Sequence, residues 1–283
     1  SQGLLDKAIA RGKSTPDKRD ALLARAHALG LKVLIDQVWS HSSDRHAWFL
    51  ESRESRGNPK ADWYVWQDTP PNNWQSVFDG DAWTYIPERN QYYYHFFMKE
   101  QPDLNWRNPE VVQAIWSAVR FWLDMGVDGY RLDAVGTIYE DPALTPHSLN
   151  MSMTDVRDLV DKAQTEEDHL RVHQTFSEMY KYQVGQPGLH ELMKELRSVL
   201  DEYPGDRMLV GEDDNPLFMG NGEDELQLVF NFPLMNTEFP LTPTWIRDNQ
   251  EKRLSELAKI SPSARSEERR VGKECRSRWS PYH

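Results

Sequence analysis

Three times along this 283-residue chain an amphipathic helix is followed within a few residues by a short apolar strand that ends in charge. That order constrains the fold more than any other feature. A helix between two strands returns the chain to the end of the sheet it left, so successive strands run parallel. The first unit opens with Thr15-Pro16-Asp17, a cap, a first-turn proline and an acid; it places Leu22, Leu23, Ala26 and Leu29 on one face and stops at Gly30. The strand Leu31–Asp36 follows, of the kind buried in a parallel sheet, and runs out into Gln37-Val38-Trp39-Ser40-His41. The second helix is capped by Asn108-Pro109-Glu110 and carries a stripe of Val112, Ile115, Trp116, Val119, Trp122 and Leu123 up to Gly126. It feeds the strand Val127–Ala134. Residues 137–173 read as loop mixed with short helix. The third helix, about Leu189–Leu200, leads to the strand Arg207–Glu212, and Leu226–Phe232 reads as one more strand.

The strand ends bring Asp36 and His41, Arg131 and Asp133, and Glu212 to one carboxyl edge, as in a (β/α)₈ barrel or an open doubly wound sheet. No glycine-rich phosphate loop favours the nucleotide-binding version. Alternate residues of a strand share a face, so Arg131 and Asp133 point the same way. An arginine beside an aspartate keeps it ionised, as a carboxylate nucleophile requires; a structural ion pair at a strand end has the same signature. Glu212 precedes Asp213 and Asp214, which is also the pattern of a solvated acidic turn, and Asp36 and His41 could simply cap loops.

Residues 42–105 differ in texture, with Trp48, Phe49, Trp63, Tyr64, Trp66, Trp74, Phe78, Trp83, Tyr85, Tyr92, Tyr93, Tyr94, Phe96 and Phe97 interleaved with Asn, Asp, Pro and Gly. A connection this long is expected to be a subdomain, packing most rings on one another and offering a few to a ligand. The net charge of −12 argues against nucleic acid or an anionic membrane as partner, and eleven Trp and eleven Tyr suit a neutral polar ligand such as a small oligosaccharide. No apolar run reaches the length of a membrane span. The start, Ser1-Gln2-Gly3-Leu4-Leu5-Asp6, lacks the layout of a signal peptide, and the expected compartment is the cytoplasm. The residues assign no cofactor and no metal ligand.

The single cysteine, Cys275, lies in a stretch that reverses the charge balance: residues 265–283 hold six basic and three acidic side chains and no hydrophobic period. The stretch resembles the conceptual translation of a sequencing-library adapter and is set aside as a non-native tail.

Four strings in order, Asp36-Gln37-Val38-Trp39-Ser40-His41, Gln101-Pro102-Asp103-Leu104-Asn105, Gly129-Tyr130-Arg131-Leu132-Asp133-Ala134 and Val210-Gly211-Glu212, closely resemble the α-amylase superfamily of glycoside hydrolases. The Gln-Pro-Asp-Leu-Asn string looks like the α-glucosidase and oligo-1,6-glucosidase branch. Thr137, where many amylases have His, also points away from the endo-acting enzymes, and Asn72-Asn73-Trp74 and Gln91-Tyr92-Tyr93 look like the matching inserted subdomain. The resemblance implies a partial (β/α)₈ barrel, about strands 3 to 6. Residues 1–41 would start it, 42–105 form the insert and 106–264 continue it. It implies Asp133 as nucleophile, Arg131 as its orienting partner, Glu212 as acid/base, His41 as a ligand of sugar hydroxyls and Asp36 as support for its loop. The carboxyls of a retaining pair stand about 5–5.5 Å apart, with the nucleophile's pKa low and the acid's raised. The family's earlier strands and a later Asn-His-Asp-like motif have no counterpart here, so the chain by itself is expected to be inactive. Alternatives are a transglucosidase or isomerase of the same superfamily, a silent transporter-partner relative and a non-catalytic sugar-binding module.

Overall fold

The computed structural model describes residues 16–78, 80–235 and 242–260; the tail at 265–283 and the cap at Thr15 lie outside the described residues. In chain order the elements are α1 (Pro16–Ala28), β1 (Leu34–Gln37), α2 (Ala47–Glu54), β2 (Trp66–Gln67), β3 (Trp83–Ile86), β4 (Gln91–Tyr94), α3 (Pro109–Asp124), β5 (Gly129–Leu132), α4 (Met153–Lys162), α5 (Glu166–Met179), α6 (Leu189–Asp201), β6 (Met208–Gly211), β7 (Leu228–Val229) and α7 (Pro243–Ile260). The described residues divide into two compact units, one within 16–19, 38–117 and 136–189, the other within 20–37, 118–135 and 190–260.

The second unit holds a parallel sheet in the order β1-β5-β6-β7, four adjacent strands of a (β/α)₈ barrel. Its centre is β5, with Tyr130 and Leu132 fully buried and the Tyr130 hydroxyl donating to the Val119 carbonyl of α3 at 2.7 Å. The expected stripe of α3 is buried at Ile115, Trp116, Val119 and Leu123, joined by Val111, while Val112 and Trp122 are half-buried. Gly129 carries φ +149° and stands so close to β6 that a Cβ would collide with the Met208 backbone. A glycine is required there for β5 and β6 to pair. Gly211, the last residue of β6, is held by packing instead: a Cβ would lie 2.6 Å from Leu226 Cδ1.

The first repeat departs from the expectation of a buried strand. The strand begins at Leu34 rather than Leu31 and pairs on one side only, with β5, among the described residues. Leu31 and Leu34 are exposed, and α1 buries Leu23 but leaves Leu22 and Leu29 in solvent. A continuous apolar run signals burial on both faces; here only one neighbour supplies it.

The other unit is built on the antiparallel sheet β2-β4-β3. Trp74, Trp83, Tyr94 and Phe96 form a core with Met153 and Val156 of α4 and with Met179 and Tyr180. Phe49 stacks on Trp66 at 5.8 Å. Most of the rings pack on one another as expected, and Phe78 and Tyr85 stay exposed. The irregular stretch proves more helical than its composition suggests: capping boxes from Ser152 and Asp155 and from Thr165 and Asp168 start α4 and α5.

Candidate active site

The carboxyl ends of β1, β5 and β6 each contribute charge to one cluster. Asp36 and Arg131 are register partners across β1 and β5, so their side chains leave the sheet on the same side. Asp133 follows β5 by one residue with its N–H donating to the Gln37 carbonyl, and the Glu212 N–H donates to the Leu132 carbonyl, so both ladders continue past the regular strands.

At the centre is the Arg131 guanidinium. Its Nη1 lies 2.7 Å from Asp36 Oδ1 and 2.6 Å from Asp133 Oδ1, and its Nη2 lies 2.7 Å from Glu212 Oε2. One cation therefore faces three carboxylates. Arg131, Asp133 and Glu212 are about three-quarters buried, whereas the Asp36 side chain is 62% exposed, which makes Asp36 the most water-screened of the three anions. Asp133 and Glu212 are thus held on the two terminal nitrogens of one guanidinium. Burial first, and then the hydrogen bond and charge of Asp133, push the Glu212 carboxyl above the usual glutamate range against the pull of Arg131. The Ala134 N–H also faces Glu212 Oε2, at 3.4 Å, and Ala134 has a positive φ of +43°. That conformation is disfavoured for a residue with a Cβ and is common beside reactive groups.

His41 sits in the other compact unit. Its Nδ1 is 2.9 Å from Ser40 Oγ, its Nε2 is 2.8 Å from Gln101 Nε2, and its ring meets Phe97 edge-on at 5.1 Å. With the Gln101 amide donating to Nε2, the ring is the neutral Nδ1–H tautomer, and both nitrogens are engaged by protein. Asp103 of the same string accepts from the Phe96 N–H at 2.7 Å, and burial pushes its carboxyl well above the aspartate range. It is a structural acid.

The structure places Asp36, Asp133 and Glu212 around Arg131. Sequence reasoning missed Gln101 as the partner of His41, which no local pattern signals across 60 residues. It also missed Phe230, whose ring centroid lies 5.9 Å from the Arg131 guanidinium carbon; only its place one residue beyond β7 hinted at it. Among the described residues there is no group of three His, Cys, Asp or Glu side chains that could hold a metal ion, and no helix is long and apolar enough to cross a membrane.

A parallel α/β sheet with an acidic pair at its carboxyl edge is the arrangement of a barrel glycosidase. The family described as "Alpha amylase, catalytic domain" matches residues 11–262, and the chain belongs to it. A probable alpha-glucosidase of Rhizobium meliloti (strain 1021) is 46% identical over 196 residues, 65% of this chain and 33% of that protein. An oligo-1,6-glucosidase of Heyndrickxia coagulans is 39% identical over 244 residues, 79% of this chain and 38% of that one. The crystal structure of an alpha-glucosyl transfer enzyme superposes with a TM-score of 0.71 at 38% identity, over 89% of this chain and 46% of the other. The chain thus spans between a third and two fifths of the length of these two curated relatives.

Proposed function

We propose that the cluster is the catalytic pair of a retaining α-glucosidase acting on short α-glucosides, the activity belonging to a protein of its relatives' length that contains this segment. The observation that carries the proposal is the closeness of Asp133 and Glu212, both on one guanidinium. Inverting glycosidases keep their carboxyls about 6.5–9.5 Å apart to admit a water, whereas a retaining pair is closer, about 5–5.5 Å. Two carboxyls held side by side on one guanidinium favour the retaining class.

In this reading Asp133 attacks the anomeric carbon as Glu212 gives its proton to the departing glycosidic oxygen. A covalent β-glucosyl ester forms on Asp133. Glu212, now ionised, takes a proton from the incoming water, whose oxygen attacks the same carbon, releases glucose with retained configuration and frees the Asp133 carboxylate. Arg131 holds and aims the Asp133 carboxylate, and Asp36 fixes Arg131 from β1. The raised pKa of Glu212 suits the acid role.

The test, made on a protein of the relatives' length, is 5-fluoro-α-D-glucosyl fluoride, which forms the glycosyl ester and resists its hydrolysis. A single glucosyl adduct on the peptide containing Asp133, absent in Asp133→Asn, is the expected result; no adduct, or one on another residue, would overturn the reading. A transglucosidase uses the same two residues with a sugar in place of water, and the likeness to an alpha-glucosyl transfer enzyme supports it as the second reading. The ratio of transfer products to glucose, at raised acceptor concentration, separates the two.

A further inference from the structure

The guanidinium of Arg131 is held by Asp36 and Asp133 through Nη1 and by Glu212 through Nη2. Its carbon also lies over the ring of Phe230, 5.9 Å from the ring centroid. The ring's place is set by the sheet. Gly211 pairs with Leu132 on one side and with Val229 on the other. The next residues, Asp133, Glu212 and Phe230, continue the same row: the Glu212 N–H donates to the Leu132 carbonyl at 2.8 Å and the Phe230 N–H to the Gly211 carbonyl at 3.2 Å. Residues in one row of a parallel sheet leave it on the same side. Phe230 therefore stands beside Glu212 as Glu212 stands beside Asp133, and Arg131 is drawn to all three.

We infer that Phe230 is a positioning residue: its ring holds the Arg131 guanidinium where Nη2 can grip Glu212, so that the ionisation of Glu212 is set partly from β7, a strand that supplies none of the acids. The attraction of a guanidinium for an aromatic ring is enough to bias a cation that three carboxylates pull in different directions. Its bearing on catalysis rests on the function proposed above; its bearing on Glu212 does not. The charged and polar groups facing Glu212 are Arg131 and Asp133 on β5 and the Ala134 N–H, with Asp36 acting through Arg131.

The experiment is a carboxyl ¹³C NMR titration of the full chain with labelled glutamate, the Glu212 resonance being identified by its loss in Glu212→Gln. No turnover is needed, so a failure of the hydrolase reading leaves the outcome untouched. In Phe230→Leu, which keeps the site apolar but removes the ring, the guanidinium drifts and Glu212 should titrate about half a pH unit higher, roughly threefold in proton affinity. Phe230→Tyr should restore the wild-type midpoint to within about 0.2 units. Arg131→Lys should raise the midpoint alone, and Phe230→Leu should add nothing on top of it, as expected of two residues acting through one contact. Phe230→Met serves in place of Leu should that variant not fold. An unchanged or lowered midpoint in the ring-less variant would overturn the inference, since a ring that only excluded water would on removal let Glu212 ionise more easily. Equal shifts in the Leu and Tyr variants, or full additivity with Arg131→Lys, would overturn it as well.

Discussion

The two ends of β5 carry opposite arrangements of charge. At the amino end one buried carboxylate, Asp128, is surrounded by donors: His27 Nε2 at 2.7 Å, Lys32 Nζ at 2.8 Å, the Val33 N–H at 2.9 Å and Arg207 Nη1 at 3.7 Å. At the carboxyl end one guanidinium is shared by three carboxylates. The first cluster has more cations than anions and is settled. Burial works against the charge of Asp128, but the hydrogen bonds from Lys32, Val33 and His27 outweigh it and hold the group at about 2. The second has more anions than cations, and its Glu212 carboxyl is pushed the other way. Four residues of strand thus separate an end that stabilises the sheet from an end that crowds anions around one cation against the preference of Glu212.

The largest effect should come from the amino end. Asp128→Ala leaves the Val33 N–H without its acceptor and Lys32, Arg207 and the His27 ring without this carboxylate. Because His27 and Lys32 reach solvent, the loss should be smaller than for a fully buried pair, about 2–3 kcal/mol in urea unfolding at pH 7. Asp128 has a folded pKa below the ordinary 3.8, so its contribution is present above that value and is lost as the pH falls towards 2. Wild type and variant should converge in stability there. A loss under about half a kcal/mol at pH 7 would mean that the two ends do not differ as argued.

At the carboxyl end Arg131→Met should have an intermediate effect, about 1–2 kcal/mol at pH 7, since three partly hydrated carboxylates are left to repel one another. Here acid should help the variant, because protonation relieves the repulsion. A loss that grew on acidification would show the guanidinium to be stabilising its neighbours in some other way.

The same contrast explains what could be read from the residues and what could not. The alternation of helix and strand was visible because α3, β5 and β6 bury apolar positions at helix and strand spacing: Ile115, Val119 and Leu123 on the helix, Tyr130 and Leu132 on β5, and Leu209 on β6. The site was visible because strand parity alone aligns Arg131 with Asp133, and parallel order alone brings in Glu212 and Asp36. Leu31 and Leu34 misled because an apolar run states a preference for burial without saying whether a neighbour supplies it. The Asp128 cluster was invisible, since its donors come from residues 27, 32 and 207 and no local pattern links them. α5 was more legible than it was judged to be: Thr165 three residues before Asp168 is a helix start, obscured by a segment with few apolar residues.

The smallest effect is the one whose sign separates the two ends most sharply. Removing a carboxylate from the amino end destabilises; removing one from the carboxyl end should do the reverse. The Glu212 carboxyl is raised in the fold, so folding favours its protonated form. That preference costs nothing below the ordinary glutamate value of 4.5, where folded and unfolded chains are both protonated, and it weighs against the fold as the pH rises through the folded pKa. A glutamine amide in place of this carboxyl would be neutral at every pH, would leave Arg131 with Asp36 and Asp133, and would remove one of three mutually repelling anions. Glu212→Gln should therefore gain about 0.5–1 kcal/mol at pH 7, measured by urea unfolding, and the gain should fade as the pH approaches 4.5. A variant less stable than wild type at pH 7 would show that the Arg131–Glu212 ion pair outweighs the repulsion, and that the carboxyl end of β5 is as settled as the amino end.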